Sequence, residues 1–517
     1  MPSDNTSSAF APLRAPVYRA LWIATLASNM GTWMQDVGAA WLMTTLSPSP
    51  VMVALVRAAN ALPMFLLALP AGALADVIDR RRLLLVTQFW MLASAATLAA
   101  LTLLDLTTPS LLLALTASLA IGTAFNAPAW HAIVPELVPR SQLVAAISLN
   151  SAAINLARSV GPAIGGLLIA SAGPGATFAL NAVSFFGTIL VLYYWQRPAH
   201  EAVLPAERML GAVRAGLRYV RHAPLVLTVL ARSLAFTVFS VALLALLPAL
   251  ARFEYGRGPT GYGVLLGFFG AGAVLAATLL PRVRERLSSQ QLVSAATLLF
   301  AAALGVLALV RTQIVVDLAV LLAGAAWLAI LSTLNSSILA VVPSWVRGRA
   351  LSVSILTFFG GMALGSVVWG YVADHFGFSI AFGTAALGLC VGLAATYRLR
   401  LASGDTIDLS PSVHWPAPTV AEPIAGDQGP VVVTVEYHVD PAKTRHFQRI
   451  MKRVRRIRRR DGAFNWALLR DTAHAGRFTE MFVVESWLEH LRQHERVTVA
   501  DRAVLDRAKT FHVGESP

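Results

Sequence analysis

Twelve times along its length this chain runs for about 20 residues or more with almost no charge, and nothing else in the sequence limits the fold as strongly. The runs centre on residues 18–45, 51–74, 83–104, 110–133, 142–171 and 175–195. After a polar stretch they resume at 225–251, 260–281, 290–310, 314–341, 350–373 and 379–399. Each is long enough to cross the hydrocarbon of a bilayer as a helix. No water is available there for exposed backbone groups, so the runs must satisfy their hydrogen bonds internally. The fold class expected is therefore an all-α membrane protein of twelve transmembrane helices in two six-helix halves, followed by something different after residue 400.

Charge supports that division. Only 13% of the residues are charged, against about 25% in a soluble globule. They are sparse from Val17 to Arg400 and dense from Asp405 onward, and every lysine (Lys443, Lys452, Lys509) lies in the tail. The formal charge of +14 does not indicate nucleic-acid binding by the apolar part, because its arginines are dispersed between apolar runs. With the N-terminus placed in the cytoplasm, eighteen of the loop arginines fall inside, and only Arg252, Arg257 and Arg311 fall outside. Such a bias sets both termini in the cytoplasm and favours an even helix count. Met1 to Pro16 is polar and the first apolar run exceeds a signal-peptide core, so no cleavable signal is expected. The single cysteine, Cys390, rules out an intramolecular disulfide.

The domains expected are a cytoplasmic segment 1–16, a six-helix half 17–196, a cytoplasmic linker 197–223, a second half 224–400, a linker 401–429 and a soluble domain 430–517. The halves carry a weak repeat. Asn126 to Pro135 precedes Arg140 as Asn335 to Pro343 precedes Arg347, and Gly161 and Gly165 are answered by Gly361 and Gly365. Repeats of this kind mark transporters built from two parallel halves. Between the halves, Glu207 to Arg221 is amphipathic, with Leu210, Val213, Leu217 and Val220 on one face and Arg214, Arg218 and Arg221 on the other. A helix like that lies along a membrane interface and snorkels its arginines toward headgroups.

Ionisable residues inside apolar runs are costly, which makes each a functional candidate. Asp36 lies in the outer part of the first helix, Arg57 and Asn60 at similar depth in the second, and Arg158 near the middle of the fifth. Burial set against a nearby cation is how a proton-coupling or substrate site is tuned. A static pair of Asp36 with Arg57 or Arg158, bracing the bundle, fits the same residues. Arg232 sits about 12 Å into the seventh helix, within snorkelling reach of its inner end. Asn29, Asn60, Asn150, Asn155 and Asn181 are placed to line a polar cavity or to bridge helices.

The loop between the second and third helices reads Gly72-Ala-Leu-Ala-Asp76-Val-Ile-Asp79-Arg80-Arg81-Arg82. It resembles the Gly-x-Leu-Ala-Asp-x-x-Gly-Arg-Arg/Lys motif of the major facilitator superfamily. The resemblance implies a gating loop in which Gly72 permits close helix approach, Asp76 faces the positive end of a helix in the other half, and Arg80 and Arg81 hold the inner face. Asp79 stands where the family has glycine, so the turn must be made differently or under strain. Gly161-Pro162-Ala-Ile-Gly165-Gly166 is similar to the element that antiporters of this superfamily carry in the fifth helix. There the small residues offer a smooth face to the opposite half. By that analogy the chain is an exporter. Pro63 to Asp76 and Val134 to Gly166 most resemble the branch containing macrolide-efflux and enterobactin-export proteins. The helix-4 arginine of many drug antiporters is absent from Leu111–Trp130, and His131 is no clear substitute.

Ser403 to Gly429 reads as a linker. After it the pattern predicts strand 431–438, helix 441–459, strand 463–470, strand 477–487 and helix 489–508, an α+β order that suggests a ferredoxin-like sandwich. It resembles small monooxygenase-like modules that dimerise, which occur as tails on secretion-effector members of this branch. His490 and His494 form a possible metal pair without an evident third ligand, and a solvated helix face fits them better. The basic run Arg453, Arg455, Arg456, Arg458, Arg459 and Arg460 fits either a surface held against anionic lipid or a solvated face.

The reading is thus a multi-pass exporter of the bacterial inner membrane, not an enzyme, for a small amphipathic organic substrate such as a drug, siderophore or secondary metabolite. Proton antiport is expected. No cofactor, metal site, catalytic residue or nucleic-acid partner is expected, whereas membrane lipid and homodimerisation through the tail are. The alternative is a membrane-tethered enzyme or regulatory module whose tail acts on the transported compound.

Overall fold

A computed structural model of the chain describes residues 10–195, 209–401, 408–410, 412 and 424–514, with the side chains of 73, 76, 77, 140, 209–215, 344 and 495 outside the description. The first six long helices are α1 (Pro16–Leu46), α2 (Pro50–Val77), α3 (Arg80–Leu103), α4 (Pro109–Leu137), α5 (Leu143–Ala172) and α6 (Pro174–Tyr194). A short helix, α7 (Met209–His222), precedes α8 (Pro224–Ala249), α9 (Pro259–Arg286), α10 (Ser289–Leu309), α11 (Gln313–Val341), α12 (Arg347–Phe376) and α13 (Phe378–Thr396). One π turn, Leu250–Glu254, extends α8. Six of these helices begin on proline (α1, α2, α4, α6, α8 and α9). There its fixed φ suits the first turn and its missing N–H costs nothing.

Among the described residues eleven helices are long and apolar enough to cross a membrane. The twelfth long helix, α1, is not among them; its 31 residues include the polar group Ser28, Asn29, Thr32, Gln35 and Asp36.

Contacts divide the chain into two compact units. The first comprises Met1–Ala206, Arg232–Thr333 and Ile355–Arg398; the second comprises Glu207–Ala231, Leu334–Ser354 and Leu399–Pro517. Within the first unit α1 packs on α5 and α6, α2 on α4, α3 on α4 and α6, and α10 on α13. The sequence repeat has a packing counterpart. A Cβ on Gly161 would stand 2.8 Å from Trp33 of α1, and one on Gly165 would stand 3.0 Å from the Met34 Cα. Gly361 and Gly365 press in the same way on Thr237 and Val238 of α8, the corresponding helix of the second half. Close helix approach through small residues supplies the packing that hydrophobicity cannot within lipid.

The C-terminal part of the second unit is built on a three-stranded antiparallel sheet in the order β1-β3-β2, with β1 Val431–His438, β2 Asn465–Arg470 and β3 Arg477–Val484. The helices α14 (Thr444–Asp461), α15 (Trp487–Arg496) and α16 (Val499–Lys509) accompany it. Phe447, Met451 and Val454 of α14 meet Tyr437 and Phe478 of the sheet and Leu505 of α16 in one core. A single antiparallel bridge, Val439 to His512, continues β1. The helix expected over 489–508 is two helices. Thr498 breaks it by capping α16 in a reciprocal box with Asp501, satisfying two backbone donors that a continuous helix would have used internally.

Candidate functional site

Two polar regions lie inside the helical bundle. For orientation, the end carrying Arg80 to Arg82 is called the arginine-rich end, and the end carrying the α1–α2 turn the arginine-poor end.

The first region lies toward the arginine-poor end. Asn60 donates from Nδ2 to Asp36 Oδ1 at 3.2 Å, and the Arg57 guanidinium acts electrostatically on the same carboxylate. The three share a narrow pocket with Leu244, Ala245 and Pro248 of α8, so the carboxylate is enclosed by both halves of the bundle. Beside it Trp41 stacks on Tyr262 of α9 at 6.2 Å, with the Arg252 guanidinium 5.6 Å above the Trp41 ring. Arg158 is elsewhere, donating to Asn155 one turn back at 2.5 Å. Of the two pairings considered for Asp36, the structure therefore brings together the one with α2.

The second region is a cavity of about 180 Å³ among α1, α3, α4, α5 and α6. Its wall includes Asn29, Gln88, Asn126, His131 and Asn150, with Trp22 and Trp130 as flat apolar surfaces. Asn126 accepts from Thr87 and Gln88, so α3 and α4 fix its orientation. Of the five asparagines singled out from sequence, only Asn29 and Asn150 line this cavity. Asn181 is buried and donates to Gln35 at 2.6 Å, a bridge between α6 and α1. Gln88 carries no sequence signal beyond being a polar residue in an apolar run, and neither the place of Asn126 at the head of the repeat nor that of His131 near the end of the fourth run points to a cavity.

The α2–α3 turn is made without strain. Asp79 has φ −54° and accepts from the Arg82 N–H at 2.9 Å. It therefore serves as an N-cap, which is why the glycine of the motif can be dispensed with. Arg80 pairs with Glu136 at 2.7 Å and donates to the Ala132 carbonyl. Arg81 donates to the carbonyls of Leu192 and Tyr193 at 2.9 and 2.7 Å. The two arginines thus fasten the turn to α4 and α6 of the same half. No described atom lies within 4 Å of where a Cβ on Gly72 would stand. Asp76 falls in the last turn of α2, its side chain outside the described residues.

On α5 the glycines serve two partners. Gly161 and Gly165, one helical turn apart, face α1 of their own half, as described above. Gly166, about 100° further round the helix, meets the other half: a Cβ there would stand 2.7 Å from the Gly263 Cα on α9. Pro162 lies inside α5 next to this contact, its carbonyl facing Gly263. The halves also meet at α2 and α12, where the Ser49 hydroxyl bonds Asp374 at 2.7 Å and Gly370 lies against Val51 and Ala54. Both contacts lie toward the arginine-poor end. Arg232 is buried and donates to the carbonyls of Thr396 and Tyr397 at the end of α13. It is held within the bundle by that cap rather than drawn toward solvent.

A family model described as transmembrane secretion effector matches residues 7–517. The chain belongs to that family. As a transmembrane secretion effector it is a transporter of the major facilitator superfamily and not an enzyme. The match runs through the C-terminal tail, whereas individual relatives match a smaller share. The Staphyloferrin A transporter of Staphylococcus aureus is 26% identical over 350 residues, covering 67% of this chain and 87% of the relative. The multidrug efflux pump Tap of Mycolicibacterium fortuitum is 27% identical over 404 residues, covering 76% and 98%. Among solved structures, a bacterial homologue of the iron transporter ferroportin in an inward-facing state superposes with a TM-score of 0.59 at 17% identity, covering 74% of this chain and 98% of that one. The nucleoside transporter NupG does so at 0.60 and 12%, covering 74% and 99%. These structures share the transporter fold.

In the second unit the sequence candidates take structural roles. Arg218 of α7, expected to snorkel to headgroups, instead pairs with Glu489 at 2.9 Å, because the tail offers a closer carboxylate. The basic run on α14 splits by face. Arg458 turns inward to Glu480 at 3.1 Å, Arg460 bonds Asp461 and Asp501, and Arg455 lies 5.8 Å over Trp466. His490 is buried against Trp487, its ring 4.7 Å from that of His494. Burial holds the His490 imidazole below the usual histidine range. Among the described residues no group of three or more His, Cys, Asp and Glu side chains is placed to hold a metal.

Proposed function

We propose that this chain exports a mid-sized amphipathic organic molecule from the bacterial cytoplasm by proton antiport. Its twelve helices, α1 included, would alternate access between two six-helix halves, with both termini cytoplasmic. The observation that carries the proposal is the enclosure of Asp36 by α1, α2 and α8. A carboxylate sealed between two bodies changes its surroundings whenever they separate. In the closed state it must keep Arg57 and Asn60 as partners or take up a proton, and in the open state water can serve it. Protonation and opening are thereby linked, which is the requirement for coupling.

The rest of the bundle fits the cycle. The bare-backbone contact of Gly166 with Gly263 lets the halves rock without interlocking side chains. The cavity lined by Asn29, Asn126, His131 and Asn150 offers polar groups between aromatic walls, which suits an amphipathic substrate. Arg80 and Arg81 would anchor the gating loop and Asp76 would latch it, while Arg158 and Arg232 brace α5 and α13. The names of the relatives, a siderophore transporter and a multidrug pump, support export of small organic molecules. The tail's strand order, with His512 at the outer edge of β1, fits a ferredoxin-like sandwich able to dimerise.

The test is substrate-dependent proton movement in inverted membrane vesicles, comparing wild type with Asp36→Asn across antibiotics, dyes and siderophores. The wild type is expected to release protons on addition of a transported compound, and the variant to show none above background. Equal release by both would make Asp36 a brace. No release with any compound would remove proton antiport.

A further inference from the structure

Within the second unit, α7, the first residues of α8, α14 and α16 enclose a cavity of about 570 Å³, the size of pockets that take small organic ligands. Its walls are of two kinds. Leu225, Val226, Val341, Leu409 and Ile457 supply an apolar interior, and Arg453 and Arg456 stand at its edge. These two arginines lie three residues apart on one face of α14, both exposed, and among the described residues neither has a carboxylate partner. Arg456 makes only a 3.4 Å bond from Nε to the Lys452 carbonyl. His222 completes the polar edge. Its Nδ1 is bonded to the Arg218 carbonyl at 2.9 Å, which leaves Nε2 to face a ligand.

The remaining charge around the cavity cancels internally. Of the other charged side chains that line it, Arg460 bonds Asp501, and the uncompensated positive charge on the wall is that of Arg453 and Arg456. A site with a dry apolar wall and two unpaired guanidiniums at its rim selects for a molecule with an apolar body and an anionic head.

We propose that this cavity binds an amphipathic anion, its carboxylate or phosphate head held by Arg453 and Arg456 and its apolar body seated against Val226, Val341, Leu409 and Ile457. The site includes both the tail and α7, the helix that joins the two halves in sequence, so occupancy ties the tail to that connection. The head group can come from an anionic phospholipid or from a free amphipathic acid, and the two sources are separable.

The experiment uses the full chain in non-ionic detergent with dansyl-undecanoic acid, a fluorescent amphipathic carboxylate. Wild type is expected to bind it saturably with a blue-shifted emission. Replacing both Arg453→Gln and Arg456→Gln, which are exposed and leave the tail core intact, is expected to weaken binding about tenfold or more. Ala500→Trp, which fills the cavity without removing charge, is expected to weaken it similarly, and Arg455→Gln, on the face of α14 that meets Trp466, to leave it unchanged. Near-ultraviolet circular dichroism verifies the fold of each variant. Competition by short-chain phosphatidylglycerol but not phosphatidylcholine assigns the site to lipid, and binding undisturbed by either assigns it to a free acid. The proposal fails if wild type shows no saturable binding. It fails equally if the arginine pair or Ala500→Trp binds like wild type, or if Arg455→Gln loses as much as the arginine pair.

Discussion

Arg81 and Arg232 in the helical bundle donate to main-chain carbonyls at the ends of neighbouring helices, whereas Arg458, Arg460 and Arg496 in the tail region donate to carboxylates. The difference follows from what each environment supplies. The bundle is poor in acidic residues, but every helix ends in four carbonyls without intrahelical partners and with partial negative charge. A guanidinium placed beside such an end gains charge-assisted hydrogen bonds without a second charge being buried, although at Arg232 only Nη2 is bonded and Nε and Nη1 have no partner among the described residues. The tail has acidic residues in quantity, so its arginines form ion pairs, and some of these are fully buried. The same residue thus acts as a helix cap at Arg81 and Arg232 and as one half of a charge pair at Arg458 and Arg460, while Arg80 with Glu136 and Arg257 with Asp317 show that the few acidic residues of the bundle are paired as well.

That contrast predicts different costs of removal. The largest effect is expected at Glu480. Its carboxylate is fully buried and accepts from Arg458, Trp466 and Tyr437. Glu480→Gln removes the carboxylate charge that the buried Arg458 guanidinium faces at 3.1 Å, at about 3–5 kcal/mol, so hydrogen exchange across α14 and β3 in the full chain should accelerate strongly. A smaller loss is expected in the bundle. Arg232→Gln gives up hydrogen bonds to carbonyls and leaves no opposite charge behind, which costs about 1–3 kcal/mol and should lower the melting temperature of the detergent-solubilised protein by a few degrees. If the two substitutions cost the same, the contrast between caps and charge pairs is wrong.

The smallest effect concerns pH. Burial pushes the Asp461 carboxyl up from 3.8 to about 6, against the pull of the Arg460 guanidinium. Between those values the folded tail keeps a proton that the unfolded chain has released. The resulting stability is fully present below about pH 4 and lost as pH rises through 6. Relative to Asp461→Asn, wild type should therefore gain about 1 kcal/mol on going from pH 7.5 to pH 5. His490, with its imidazole held low, works in the opposite direction but is common to both proteins and cancels. A stability difference that stays flat across that range would show the buried carboxylate to be ionised throughout.

Legibility also differed between the two regions. In the bundle, long apolar runs broken by proline are close to a direct statement of where helices begin, and Pro50, Pro109, Pro174 and Pro259 each open one. Polar side chains within those runs were visible as candidates, but their partners were not. Arg80 finds Glu136 across 56 residues, and which asparagines face the cavity depends on helix rotation that small residues set by packing. Gly166 could be read as a packing residue, but not that its partner would be another glycine in the opposite half. In the tail, the break between α15 and α16 was written in Thr498 and Asp501, a capping box that the apolar periodicity on either side obscured. The pairing of Arg218 with Glu489, 271 residues apart, has no local signature.

In the proposed transport cycle the halves of the bundle separate at the arginine-poor end once per turnover. Ser49 and Asp374 touch across that end at 2.7 Å, and Cys390 is the only native cysteine. Ser49→Cys with Asp374→Cys in a Cys390→Ser background therefore permits a single disulfide between the halves. Oxidation is expected to cross-link the pair and stop export, and a reductant to restore it. Undiminished export by the fully cross-linked protein would show that the halves need not part at this end.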